Sequence, residues 1–181
     1  MDDAQQSILW QCMNNKPYHD VAFQQALNMI VEEYMEDTCF PLWRGLSKLE
    51  LDQIYMHQPG DIFTFHGVKS FSELPDIAQM FSDQWQYDTM TLVKIVNNVK
   101  SFRLYPVLTQ ILIDAPECEF TLSGDARGDK LEMVADEREH MLPHGSKFLI
   151  LNKSTLEIPE NFGQSHKIYD IFEVECLQYP E

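Results

Sequence analysis

Between residues 19 and 37, apolar side chains return at Val21, Ala22, Leu27, Ile30, Val31 and Tyr34. That spacing gathers them on one face of a 3.6-residue helix, and Asp20 ahead of them suits an N-cap. A shorter helix is predicted near Ala4–Met13, ended by "NNKP". "PLWRGL" reads as a short buried strand around Leu42–Arg44, and "SKLELDQIYM" as a helix whose Ser47 and Glu50 form a capping box. "PGDIFTF" turns at Pro59-Gly60 into a strand, and "GVKSFS" reads as another. "LPDIAQMFSDQW" is predicted helical, with Pro75 accommodated in its first turn. "DTMTLVKIVNN" alternates as a strand does, and "YPVLTQILIDAP" reads as helix. "SGDARGDK" is predicted to be an exposed loop, and strands are predicted in "LEMVADEREHML", "SKFLILNK" and "KIYDIFEVECLQ". Helices lead and strands dominate later, which predicts a single α+β domain over residues 1–181, with residues 1–40 as a helical lead-in.

Composition adds limits. The chain has 181 residues, 44% of them hydrophobic and 12% aromatic, enough for a packed core. No apolar run reaches the ~20 residues that span a bilayer, so no membrane association is expected. "MDDAQQSILWQC" lacks the basic start and apolar run of a secretory leader. Cys12, Cys39, Cys118 and Cys176 are scattered, with no C-x-x-C pair, which fits free thiols in a cytoplasmic setting. The net charge is −16, concentrated at the flanks: residues 1–40 carry seven acids against Lys16 alone, and residues 157–181 six against Lys167. Such a surface disfavours direct contact with nucleic acid and attracts basic partners, although acidity for solubility alone would read the same way.

Three places carry candidate chemistry. If "VADEREHML" were strand, Glu137 and Glu139 would share a face ~7 Å apart, with Asp136, Arg138 and His140 on the other. Neighbouring carboxylates perturb one another's pKa, while a solvated edge strand is the plainer alternative. In "KSFSE", Ser70 and Ser72 fall on one side and Phe71 on the other, so two hydroxyls can face a cleft; an ordinary strand end followed by a helix cap would look alike. Arg44, bracketed by Trp43, Gly45 and Leu46, needs an anionic partner if buried, either a ligand or a structural ion pair. His140 and His144 have a helical metal-ligand spacing, but Pro143 between them opposes a helix, and no metal is expected. There is no glycine-rich phosphate loop, and Trp10, Trp43 and Trp85 read as core or semi-core aromatics.

Taken in order, "PLWRGL", "GDIFTFHGVKSFS", Phe81 in "IAQMFSDQW" and "VADEREHMLPHGSKFLIL" resemble the mono-ADP-ribosyltransferases of the Arg–Ser–Glu class, above all the phage Mod/Alt-type enzymes. The resemblance covers residues 41–151. It implies an ADP-ribosyltransferase-like fold of two packed, mostly antiparallel sheets around an NAD cleft, with residues 41–181 as the catalytic core. It also implies NAD as co-substrate and a host protein as acceptor, RNA polymerase or a translation-associated protein being the classes expected. By the same resemblance Arg44, with Gly45 beside it, would hold the NAD pyrophosphate or the adjacent ribose. Ser70 would orient Glu139, Ser72 would shape the nicotinamide pocket, and Phe81 would lie against the nicotinamide. Glu139 would bind the nicotinamide ribose, and Glu137 would meet an incoming arginine. Phe71 departs from the small residue the family commonly has there; since it faces away from the serines, packing rather than catalysis should feel the change. Competing expectations are the same fold acting on another side chain, a nucleic acid or an immunity component, and a non-catalytic acidic mimic of nucleic acid.

Overall fold

The computed structural model describes residues 1–13, 20–83, 89–123, 126–160 and 166–178. The "NNKP" stop and Trp85 lie outside them. The N-terminal part pairs two helices, α1 (Asp3–Cys12) and α2 (Val21–Tyr34). Asp2 caps α1 in a reciprocal box with Gln5, and the Asp20 carboxylate accepts from the Phe23 N–H at 2.8 Å. Both caps satisfy backbone donors that a helix start leaves unpaired. The helix predicted to run to residue 37 stops at Tyr34; Met35 is extended and Glu36–Thr38 form strand β1.

Beyond it come β2 (Leu42–Gly45), α3 (Lys48–Ile54), β3 (Ile62–Thr64), β4 (Lys69–Ser72), α4 (Pro75–Asp83) and β5 (Thr89–Ile95). The predicted elements in this stretch all form, and α3 begins with the Ser47–Glu50 capping box. Then follow β6 (Val99–Arg103), α5 (Leu104–Asp114), α6 (Glu117–Ser123), α7 (Arg127–Glu137), β7 (Glu139–Leu142), β8 (Lys147–Ile158) and β9 (Lys167–Leu177). Strand β6 and helix α6 had no counterpart among the predicted elements.

Two expectations fail around α7. Arg127–Lys130 are its first turn rather than loop, and Leu131–Glu137 are helix rather than strand. The physical reason is a helical stripe: Lys130 and Val134, four apart, are buried, with Leu131 packed beside them against the helical core.

The strands form one ladder in the order β1-β6-β7-β4-β2-β5-β9-β8-β3, antiparallel throughout except for the parallel pair β5–β9. Two separate sheets, as expected from the sequence, are therefore corrected to a single continuous one. It is nevertheless folded over. Strands β4 and β8 stand four places apart, which on a flat sheet is about 19 Å at ~4.8 Å per strand. Yet the rings of Phe71 and Phe148 lie with centroids 6.1 Å apart. The two ends of the ladder thus close on a common core in which Leu42, Phe63, Phe71, Val93, Leu142, Phe148, Phe172 and Val174 meet. A second core joins α1, α2, α5 and α7 to Phe102 and Met141 of the sheet. Phe71 is 2% exposed and faces the first core, so the larger residue between the two serines is absorbed by packing.

Candidate active site

Strands β4 and β7 bring the serines and one glutamate together. Ser72 is the cross-strand partner of Glu139, and Ser70 of Met141. Residues opposite one another, and residues two apart, share a face, so Ser70, Ser72 and Glu139 lie on one side of the sheet. The Glu139 carboxyl is raised from its ordinary range by burial, against the hydrogen bond from the Ser70 side chain and the charge of Arg44, both of which lower it. Ser72 is buried and serves the main chain: its hydroxyl donates to the Glu137 carbonyl at 2.7 Å and accepts from the Leu74 N–H at 3.0 Å. Glu137 ends α7, so this bond satisfies one of the carbonyls that a helix terminus leaves open.

The two glutamates come together by a different route from the one the sequence suggested. Glu137 closes a helix, Arg138 adopts a left-handed conformation (φ 42°, ψ 54°), and Glu139 opens a strand. The paired carboxylates are a helix-to-strand corner, not one face of a strand. Burial, and then the neighbouring Glu139, push the Glu137 carboxyl up to about 7. A group with that pKa exchanges protons near neutral pH, as a general base must.

Arg44 leaves β2 on the side opposite Ser72, but its guanidinium reaches the seam with β4, near enough for its charge to act on Glu139. Trp43 pairs with Ser72 on one side and Lys94 on the other, while Arg44 pairs with Val93 of the folded core. Adjacent strand residues alternate, so Arg44 emerges on the Val93 side of the sheet. Its guanidinium donates to Glu50 through Nε at 3.3 Å and Nη2 at 2.9 and 3.1 Å, and to the Ser70 carbonyl through Nη1 at 2.7 Å. Lys69 reaches the same Glu50 carboxylate at 3.0 Å. Burial alone would raise Glu50; Arg44, Lys69 and the Ser47 N–H reverse this and hold it at about 2.

Gly45 is decided by packing. A Cβ there would stand 2.1 Å from the Ala78 carbonyl oxygen and 2.6 Å from the Ser82 nitrogen, the backbone of α4 itself. The missing side chain lets α4 lie directly on β2, and α4 carries Phe81, which is 38% exposed. His140 and His144 do not meet as ligands. His140 is enclosed, with Nδ1 2.8 Å from Ser101 Oγ and Nε2 2.9 Å from Glu73. His144 Nδ1 instead accepts from the Gly67 N–H at 2.8 Å.

The profile of the family described as Bacteriophage T4 Mod ADP-ribosyltransferase matches residues 1–170. The chain belongs to this Mod family. It is 32% identical over 180 residues to the NAD–protein ADP-ribosyltransferase ModB of enterobacteria phage T4, covering 96% of this chain and 84% of ModB. It is also 32% identical over 152 residues to ModA of the same phage, covering 81% of this chain and 70% of ModA. Among solved structures, Plx2a, an ADP-ribosyltransferase toxin from Paenibacillus larvae, superposes with a TM-score of 0.57 at 11% identity, over 98% of this chain and 88% of that one. This Mod-family protein is thus an NAD–protein ADP-ribosyltransferase with the ADP-ribosyltransferase fold, and NAD is its ADP-ribose donor.

Sequence reasoning missed Glu50, Lys69 and Glu73, whose ion pairs surround the candidate residues. Glu50 had a visible signal, because its capping-box position places a carboxylate six residues after Arg44. Glu73 had none, since its partners at 138 and 140 become neighbours only when β4 and β7 pair.

Proposed function

We propose that the enzyme transfers ADP-ribose from NAD to an arginine of a bacterial host protein, in the cytoplasm of a cell infected by a phage, and releases nicotinamide. RNA polymerase or a translation-associated protein are the acceptor classes in view. The observation that carries this reading is the corner at 137–139. It places a carboxyl with a pKa of about 7 beside a second one that Ser70 hydrogen-bonds.

Cleavage of the bond between nicotinamide nitrogen and ribose C1′ leaves oxocarbenium character on the ribose. Glu139, oriented by Ser70, binds the ribose hydroxyl and stabilises that charge where it develops. A guanidinium nitrogen of the acceptor then attacks C1′. Protonated arginine is a poor nucleophile, so Glu137 orients it and takes the proton it loses on bond formation. Nicotinamide departs with the bonding electron pair as a neutral base. Arg44, fixed by Glu50, contributes its charge to the pyrophosphate or adjacent ribose; Gly45 and α4 set Phe81 against the nicotinamide; and Ser72 shapes that pocket by holding the Glu137 carbonyl.

The test uses labelled NAD with an arginine-containing acceptor protein. Glu139→Gln is expected to abolish both transfer and NAD hydrolysis, by at least about 100-fold as for a lost transition-state contact. Glu137→Gln is expected to abolish transfer while hydrolysis persists. Transfer surviving in Glu139→Gln, or label mapped only to residues other than arginine, would overturn the assignment.

A further inference from the structure

The corner between the two glutamates is built on an unfavourable backbone. Arg138 is the one non-glycine residue with positive φ among the described residues. For an L-residue with a side chain the left-handed region is disfavoured, because Cβ crowds the following carbonyl oxygen, and such strain persists only where the surroundings over-determine it. Here they do, and the contacts converge on one side chain.

Glu73 follows Ser72 at the end of β4. Its backbone N–H points at the Arg138 carbonyl at 3.4 Å. Its carboxylate then divides: Oε2 lies 3.6 Å from the Arg138 guanidinium, and Oε1 lies 2.9 Å from His140 Nε2. Residues 138 and 140 are the two chain neighbours of Glu139, so one carboxylate holds Glu139 from both sides. The Arg138 half is the weaker, because that side chain is half exposed.

The His140 half is enclosed. His140 is 0% exposed, and burial lowers its pKa against the opposing pull of Glu73, so the ring is neutral near pH 7. A neutral ring has one donor and one acceptor. With Nε2–H directed at Glu73, Nδ1 accepts from Ser101, whose oxygen lies 2.6 Å from Thr38 Oγ1. Phe40 packs edge-on at 5.5 Å and Tyr105 at 6.0 Å, so the ring has no room to turn. Strands β1, β6, β7 and the end of β4 are thereby tied into one chain of hydrogen bonds that terminates at the catalytic corner.

We propose that Glu73 and His140 are positioning residues for the ADP-ribosyl transfer, which hold Arg138 in its left-handed turn and so fix the relative placement of Glu137 and Glu139. Neither touches substrate; they act through the backbone on either side of Glu139. The inference rests on the reading of Glu139 as the catalytic carboxylate.

The experiment compares Glu73→Ala, Glu73→Gln, Glu73→Ala with Arg138→Gly, and Glu139→Gln, each checked for native circular dichroism and for a melting point above the assay temperature. Misplacing a catalytic group by an ångström costs up to about 100-fold. Glu73→Ala is therefore expected to lower kcat for NAD cleavage by roughly 10- to 100-fold, with KM for NAD changed by less than about twofold. Glu73→Gln keeps the His140 bond and is expected to retain more activity than the alanine variant. Glycine at 138 removes the cost of the left-handed turn and is expected to restore several-fold of the lost rate; a merely structural role for Glu73 predicts no such rescue. If Glu73→Ala does not fold, the Glu73→Gln variant alone and with Arg138→Gly carries the same comparison. Parental kcat in folded Glu73 variants, or no recovery with glycine at 138, would overturn the proposal while leaving the site assignment intact. Full activity in Glu139→Gln would instead overturn the site assignment on which it rests.

Discussion

At the scale of single residues, Glu50 and Glu137 show how one cause is turned in opposite directions by neighbours. Burial leads the effects on both carboxyls. Glu50 faces the Arg44 guanidinium and Lys69 ammonium and is held at about 2, whereas Glu137 faces a second carboxyl and is pushed up to about 7. The first is a permanent anion that fixes Arg44; the second changes state near neutral pH. Pairs of carboxyls driven apart in this way divide the labour of a site between structure and proton transfer. A base works only when deprotonated, so kcat/KM for an arginine acceptor is expected to rise with pH through about 7, the free-enzyme value of Glu137. NAD hydrolysis, in which water replaces the guanidinium, is expected to lack that limb, as is the residual activity of Glu137→Gln. Initial rates measured at low acceptor concentration from about pH 6 to 8 decide it. A flat transfer profile would remove Glu137 from the base role.

At the scale of elements, the contact between β2 and α4 places the strand that bears Arg44 beside the helix that bears Phe81. Gly45→Ala would put a methyl group into the backbone of α4 at Ala78 and Ser82. Both atoms it meets belong to the main chain rather than to a flexible side-chain end, so the helix itself must move. Unfolding by urea is expected to show a loss of roughly 1–3 kcal/mol, the usual cost of overpacking a filled interior. KM for NAD is expected to rise as Phe81 shifts. Unchanged stability would show that α4 slides freely on the sheet. This packing explains what was legible in the sequence. Elements with both a period and a boundary signal, such as α2 after Asp20 and α3 with its Ser47–Glu50 box, could be read directly. Helix α7 ends without glycine, at an arginine in the left-handed region, so nothing in "VADEREH" marks where helix gives way to strand. The pair Glu137–Glu139 was found by motif although its local geometry was misjudged. Glu73 could not be found at all, because its role exists only once β4 lies against β7.

At the scale of the whole molecule, a chain of net charge −16 has to admit NAD, which its pyrophosphate makes an anion, and also engage a protein substrate. These demands oppose each other. The field that draws a basic acceptor repels the dinucleotide, and the cations Arg44 and Lys69, gathered on Glu50 beneath β4, offset that repulsion only locally. Salt should therefore act on the two substrates with opposite signs. Raising ionic strength from about 0.01 M to 0.15 M shortens the Debye length from roughly 30 Å to about 8 Å. Long-range repulsion between the acidic surface and NAD is screened over that interval, and so is attraction toward a basic protein. KM for NAD, measured by hydrolysis without acceptor, is expected to fall or stay level as salt rises. KM for a basic acceptor protein is expected to climb over the same range, with kcat little altered because the chemistry lies within a Debye length of the corner. Movement of both constants in one direction would show that local cations at the site, rather than the acidic surface of the whole chain, govern substrate encounter.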